Sequence, residues 1–106
     1  MARRHTIELS ATAFGCLQRI GDRKVRRELA AAIDGLARGP DVQGKPLEVP
    51  LDGVWSIHAA RDHYRVLYEI DSKRARVTVL FVGERRPGRA SDVYRVAARL
   101  LRDLTS

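Results

Sequence analysis

The stretch YRVLYEID at residues 64–71 alternates between two kinds of side chain. Four apolar or aromatic residues share one parity: Tyr64, Val66, Tyr68 and Ile70. Arg65 and Glu69 lie on the other parity. Because successive side chains of a strand point to opposite faces of a sheet, this alternation predicts a β-strand with one packed and one polar face. An arginine is therefore expected on the face of a sheet, where it needs a physical explanation.

One further strand is expected on each side of this stretch in the sequence, at about 54–60 and at about 75–83. The connections to 64–71 are short enough for hairpins, so the three strands predict an antiparallel meander. The run VTVLFV at 77–82 is apolar on both parities. That pattern predicts that this strand is the central one and is covered on both faces.

The remaining elements follow from alternation, helical spacing and capping residues. HTIEL at 5–9 predicts an opening strand, Ser10 caps a first helix and Gly21 ends it in the left-handed conformation. Asp22 caps a second helix, which Gly39-Pro40 stops, and Ser91 caps a last helix. The loop at 40–53 contains at most a short extended piece at 47–49. The order β-α-α-β-β-β-α predicts an α+β fold in which a helical hairpin packs on a small, mainly antiparallel sheet.

Composition and charge predict one domain, residues 1–106, with an anionic partner. Of 106 residues, 44% are hydrophobic, which is enough for a core. The formal net charge is +7, and three lysines accompany 17 arginines. Guanidinium groups bind phosphate and carboxylate bidentately, so nucleic acid or an acidic protein is favoured. The alternative is codon bias from a GC-rich genome together with an ordinary solvated surface.

Cysteine usage and hydropathy exclude several classes of protein. Cys16 is the only cysteine, so neither an intrachain disulfide nor a cysteine-based metal site is expected. It is expected to be a small core residue of the first helix. No stretch approaches the roughly 18 apolar residues of a membrane span. These features favour a cytoplasmic protein without a membrane association, a metal or another cofactor.

Several residues could form a phosphate site on the polar face of the sheet. Ser56 and His58 share one parity of their strand, and the simplest register places them on the same side as Arg65. Arg85 leaves the end of the strand at 75–83, and Tyr94 starts the last helix. A concave face with these groups is a candidate phosphate-binding site.

Each of these residues also has a purely structural interpretation. His58 could be a polar surface residue, and Arg65 could pair with Glu69 or with an acid on the next strand. Tyr94 could serve packing alone. One basic cluster could simply be solvated: Arg85, Arg86 and Arg89.

The chain resembles the RelE/ParE superfamily of bacterial toxins. The matching segments are GKPL (44–47), LDGVWSI (51–57), HYRVLYEID (63–71), VTVLFVGERR (77–86) and DVYRVAARLL (92–101). With the helical hairpin, these segments cover nearly the whole chain in the order of the superfamily. The resemblance implies a RelE-like fold. It also implies one of two activities, ribosome-dependent cleavage of messenger RNA in RelE-type members or poisoning of DNA gyrase in ParE-type members.

The resemblance implies a set of catalytic residues. Arg65, Arg85 and Tyr94 match the RelE-type pattern, although the loop between Arg85 and Tyr94 is a few residues longer. Ser56 and His58 stand where well-known RelE-type enzymes have two lysines. His58 is then the expected general base, since its unperturbed pKa is about 6.5. Four residues are expected to bind RNA: Ser56, Arg61, Arg86 and Arg89.

The implied reaction needs no metal and gives a 2′,3′-cyclic phosphate and a 5′-hydroxyl. The implied partners are a cognate acidic antitoxin, the ribosome and messenger RNA, with DNA bound only indirectly through the antitoxin complex. Two alternatives stay open, a gyrase poison of the ParE type and a degenerate member that only binds its antitoxin.

Overall fold

The computed structural model describes residues 4–105, with side chains described through Arg102. The elements follow in this order: β1 (Thr6–Leu9), α1 (Ala11–Arg19), α2 (Arg23–Gly35), α3 (Pro40–Gln43), β2 (Lys45–Pro46), β3 (Trp55–Ala59), β4 (Tyr64–Asp71), β5 (Arg76–Glu84) and α4 (Val93–Thr105). This confirms the predicted α+β order. Two short elements, α3 and β2, are additional, and the extended piece expected at 47–49 lies instead at residues 45–46.

The five strands form one sheet in the order β1-β5-β4-β3-β2. β1 pairs with β5 in parallel, whereas the other neighbouring strands are antiparallel. The meander of β3, β4 and β5 is therefore confirmed. The central strand, however, is β4 and not the expected 77–82, because β1 and β2 extend the meander by one strand on each side.

Side-chain oxygens cap the N-termini of α1, α2 and α4. Ser10 accepts a hydrogen bond from the backbone N–H of Ala13 at 3.0 Å, which confirms it as the cap of α1. Asp22 caps α2 through the N–H groups of Lys24 and Val25. Two other expectations are wrong. Helix α1 ends at Ile20 in an extended conformation rather than at a left-handed Gly21. Helix α4 is capped by Asp92 rather than Ser91.

Apolar side chains form a cluster on each face of the sheet. On one face α1 and α2 cover Val66, Tyr68 and Val77, and Leu29 and Ile33 are buried there. Cys16 belongs to this cluster, as expected. The second face is covered in part by α4, whose Val93 and Ala97 pack around Leu67. The uncovered end of this second face is where the polar side chains lie.

None of the described helices is long and apolar enough to cross a membrane.

Candidate active site

An open cleft lies beside β2 and β3, where α4 leaves the sheet uncovered. Its volume is about 460 Å³. Polar side chains in its wall include Ser56 and His58 from β3, Lys45 from β2 and Tyr94 from α4. The cleft therefore brings together two of the four predicted catalytic residues, His58 and Tyr94. Ser56 lines the same cleft.

The β3–β4 register brings Arg65 next to this cleft. His58 and Arg65 are direct partners across the antiparallel ladder, and so are Ser56 and Leu67. Directly paired residues project from the same face, so His58 and Arg65 share a face as the sequence predicts. The strands supply a rigid base for both side chains.

His58 lies at the surface with a carboxylate beside it. The Nδ1 atom lies 3.2 Å from Oδ1 of Asp62, and 55% of the histidine side chain is exposed. A carboxylate at Nδ1 favours the tautomer whose proton is on that nitrogen. That tautomer leaves Nε2 as a proton acceptor.

Arg65 is buried, and its guanidinium binds backbone rather than an acid. The residue is 8% exposed, and Nη1 donates to the carbonyls of Asp62 at 2.7 Å and of Tyr64 at 3.0 Å. Within the described residues Nε has no hydrogen-bond partner. The alternative pairing with Glu69 is therefore wrong, because Nη1 donates to the carbonyl oxygens of Asp62 and Tyr64.

The β3–β4 connection itself has an unusual backbone. Ala60, Arg61 and Asp62 have φ values of 50°, 59° and 67°, and none of them is glycine. The left-handed region is uncommon for residues with a Cβ atom, and three in succession are strained. The Arg65 bond to the Asp62 carbonyl stabilises this turn. Arg65 thereby positions Asp62 beside His58.

Arg85 lies over the ring of Tyr94, whose hydroxyl contacts Ser56 of β3. Its Nη1 donates to Oδ1 of Asp92 at 2.7 Å, and its guanidinium carbon lies 5.0 Å from the centroid of the Tyr94 ring. The Tyr94 hydroxyl lies 3.0 Å from Oγ of Ser56, which is 5% exposed. The cation–π contact and the hydroxyl pair hold the ring at the mouth of the cleft.

Asp92 organises the segment between β5 and α4. Burial of the carboxyl opposes ionisation, but hydrogen bonds from Arg85 and from the N–H groups of Arg86 and Tyr94 outweigh it. The pKa of Asp92 is therefore lowered. As an anion it both caps α4 and fixes Arg85. No role was predicted for Asp92, which directly follows the predicted cap Ser91.

Of the four predicted RNA-binding residues, Ser56 alone lines the cleft, and Arg61 lines a separate pocket beside α2. Arg61 and Arg89 are exposed, whereas Ser56 is buried. Arg86 pairs with Glu84, with its Nη2 3.2 Å from the carboxylate. Lys45 was given no role from the sequence, yet it lines the cleft. The available signal was a rare lysine in a chain that otherwise uses arginine.

The described residues contain no group of three or more His, Cys, Asp or Glu side chains that could hold a metal ion. This cleft brings together a histidine with a carboxylate beside it, two hydroxyls and one lysine, and Arg65 lies next to it. Such a set can accept a proton and stabilise an oxyanion.

Comparison with known proteins identifies the class. The family model described as the ParE toxin of type II toxin–antitoxin systems matches residues 7–87. The chain belongs to the RelE/ParE superfamily of toxins of type II toxin–antitoxin systems. This finding confirms the resemblance seen in the sequence motifs.

Individual relatives carry RelE-type names. Toxin RelG of Mycobacterium tuberculosis is 34% identical over 91 residues, which are 86% of this chain and 97% of the relative. Toxin RelE of the same organism is 33% identical over 79 residues, covering 74% of this chain and 79% of the relative.

Solved structures agree with the fold. A chain of the toxin–antitoxin complex RelBE2 from M. tuberculosis is 34% identical, with a TM-score of 0.66, over 77% of this chain and 92% of that one. A mutant of the E. coli toxin RelE in the free state has a TM-score of 0.67 over 96% and 98% of the two chains. At 17% identity the latter likeness shows the fold alone.

Proposed function

We propose that this toxin is a ribosome-dependent endoribonuclease that cleaves messenger RNA without a metal ion and so inhibits translation. One observation carries the proposal. A solvent-accessible histidine, His58, has a carboxylate at its Nδ1 and shares a cleft with the hydroxyls of Ser56 and Tyr94 and with Lys45. This arrangement of groups around His58 suits the removal of a proton from a ribose hydroxyl beside a phosphate.

His58 acts as the general base through Nε2. The nitrogen accepts the proton of a ribose 2′-hydroxyl, and the 2′-oxygen forms a bond to the adjacent phosphorus. The bond between phosphorus and the 5′-oxygen breaks, and the departing oxygen takes a proton from solvent. The products are a 2′,3′-cyclic phosphate and a 5′-hydroxyl, and His58 then returns its proton to water. Asp62 keeps the imidazole in the required tautomer and orientation.

The two predicted arginines contribute in different ways. Arg65 places a fixed positive charge directly across the ladder from His58, while its carbonyl bonds hold the turn. A buried charge of this kind stabilises negative charge that develops on the phosphate oxygens. Arg85 is partly accessible and acts as a second clamp on the phosphate. An arginine side chain keeps its charge in proteins, so Arg85 acts electrostatically and not as a proton donor.

Tyr94 and the basic surface position the RNA. The face of the Tyr94 ring away from Arg85 stacks on a base or orients it. Contacts to phosphate oxygens come from four residues: Ser56, Arg61, Arg86 and Arg89. Binding that depends on such cations weakens steeply with salt.

An acidic antitoxin is the proposed protein partner, and DNA contact occurs only through that complex. Solved relatives include toxin–antitoxin complexes, among them RelBE2 of M. tuberculosis and RelBE of E. coli. The formal net charge of +7 favours an acidic partner. The toxin acts in the cytoplasm, where the ribosome is found.

The test is cleavage of a translated reporter transcript after induction of the toxin, with new 5′ ends mapped by primer extension. His58→Gln is expected to reduce the cleavage rate by about 10²–10⁴-fold, since it removes the general base. The matched control is His63→Gln, an exposed histidine outside the cleft wall. Equal cleavage by wild type and His58→Gln would rule out the assigned base.

The second candidate is a gyrase poison, which the match to the ParE family model favours. Under that function wild type arrests growth while the transcript stays intact, and supercoiling by gyrase stops. A degenerate member that only binds its antitoxin would produce neither effect. The same induction experiment, with a supercoiling assay added, separates the three.

A further inference from the structure

Lys45 lies on the wall of the cleft because of the β2–β3 register. β2 consists of Lys45–Pro46 and pairs antiparallel with β3, with Lys45 directly opposite Ser56. Directly paired side chains lie on the same face about 5 Å apart at Cβ. Lys45 therefore projects beside the Ser56 hydroxyl and lines the same cleft as His58 and Tyr94.

The backbone on both sides of Lys45 is held in place. The Tyr68 hydroxyl donates to the Pro40 carbonyl at 2.6 Å, and burial raises the pKa of Tyr68 to about 12. Gly44 packs against this hydroxyl and the Ser56 carbonyl so closely that a Cβ atom would not fit. After β2, the Leu47 N–H donates to the Val54 carbonyl at 2.8 Å. The root of the Lys45 side chain is thus fixed, while its four-carbon stem stays flexible.

The charge of Lys45 is not neutralised by the protein. Arg85 and Arg86 are paired with Asp92 and Glu84, and Arg65 binds carbonyl oxygens. Lys45, by contrast, is exposed, and its side chain forms no ion pair or hydrogen bond with the side chains and backbone described for residues 4–102. Of the described residues lining the cleft, it is the one lysine or arginine.

We propose that Lys45 is an RNA-binding residue whose ammonium group contacts a phosphate of the strand lying in this cleft. A compact, strongly hydrated ammonium on a flexible stem can follow a phosphate as negative charge grows on it. Lys45 thus supplies a mobile positive charge from β2, whereas Arg65 supplies a fixed positive charge from β4. The identity of the anion as RNA rests on the proposed function.

A structural alternative is that lysine on an edge strand merely prevents pairing with another chain. The two roles differ in their salt dependence. A phosphate contact contributes about 0.7 to the slope of log binding constant against log salt for single-stranded nucleic acid. A residue that only protects an edge leaves that slope unchanged.

The experiment measures binding of the purified toxin to a short 2′-O-methylated oligouridylate across a salt series. Methylation removes the attacking hydroxyl, so binding is measured without cleavage. The variants are Lys45→Gln, Lys45→Arg and the matched control Lys73→Gln, in which an exposed lysine of the β4–β5 turn is changed. Lys45→Gln is expected to weaken binding about tenfold at low salt and to reduce the slope by about 0.7. Lys45→Arg retains the slope, and Lys73→Gln behaves as wild type.

Three results would overturn the assignment. They are an unchanged slope in Lys45→Gln, an equal loss in Lys73→Gln, and no measurable binding by wild type. Failure of the proposed nuclease function is detected separately, by an intact reporter transcript in the induction experiment. If Lys45→Gln lowers the slope while transcripts stay intact, Lys45 binds an anion but the nuclease function is wrong.

Discussion

Two arginines that look equivalent in the sequence have different surroundings in the fold. Arg65 is 8% exposed and donates to the backbone carbonyls of Asp62, in the β3–β4 connection, and of Tyr64, the first residue of β4. The Arg85 side chain is 34% exposed, binds the Asp92 carboxylate and lies against Tyr94. Arg65 is thus part of the framework of the sheet, whereas Arg85 belongs to a side-chain network on the adjoining loop and helix.

The contacts of the two arginines should therefore respond differently to pH and to substitution. Carbonyl oxygens do not titrate, so the two hydrogen bonds of Arg65 do not depend on the ionisation of their acceptors. The carboxylate of Asp92 does titrate, so the position of Arg85 depends on an ionisation state. Substitutions on the two sides should therefore differ in size and in pH dependence.

The largest effect is expected for Arg65→Ala. Loss of two charge-assisted hydrogen bonds to the turn, offset in part by removal of a buried charge, should lower the free energy of unfolding by about 2–3 kcal/mol. Urea denaturation measures it, with Arg61→Ala in the same turn as the exposed control. Equal stability of the two variants would show that Arg65 does not hold the turn.

A smaller, pH-dependent effect is expected for Asp92→Asn. Because the pKa of Asp92 is lowered in the fold, its ionised form contributes stability at pH values above the unfolded pKa of about 3.9, and this is lost as the pH falls through the folded value. At pH 7 the variant should lose about 1–2 kcal/mol, and the difference should shrink towards pH 3. Denaturation at both pH values measures this. A difference that is constant with pH would contradict the ion pair.

The smallest effect is expected for Tyr94→Phe. The change removes the bond to the buried Ser56 hydroxyl but keeps the ring against Arg85, so the loss should be about 1 kcal/mol or less. Adding Ser56→Ala should recover part of it, because no unsatisfied hydroxyl then remains. Thermal denaturation of the single and double variants in a mutant cycle provides the measurement. Additive losses would mean that the two hydroxyls do not interact.

Much of the fold could be predicted because local signals and packing agree. The alternation in 64–71 and the caps Ser10 and Asp22 directly reflect strand and helix geometry. The order of the strands in the sheet could not be predicted, because the parallel pairing of β1 with β5 joins residues about 70 positions apart in the sequence. The expectation that 77–82 is central failed for that reason.

The candidate site was predictable in part. The parity of Ser56, His58 and Arg65 follows from strand period, and the observed register agrees with it. The roles of Lys45 and Asp92 were not predictable. One depends on a two-residue strand that pairs only through the tertiary fold, and the other on the geometry of a loop. Short irregular segments carry no periodic pattern from which such contacts could be inferred.

The left-handed turn at residues 60–62 has a consequence for sequence variation. A Cβ atom costs roughly 1 kcal/mol or more in that conformation, and branching at Cβ costs more. In a library randomised at these positions and selected for folding alone, glycine and asparagine should be enriched over the native Ala60 and Arg61, and valine and isoleucine depleted. A second selection that also requires activity should retain Asp62. Comparing the two selections would separate substitutions excluded by the backbone conformation from those excluded by the role of Asp62 beside His58.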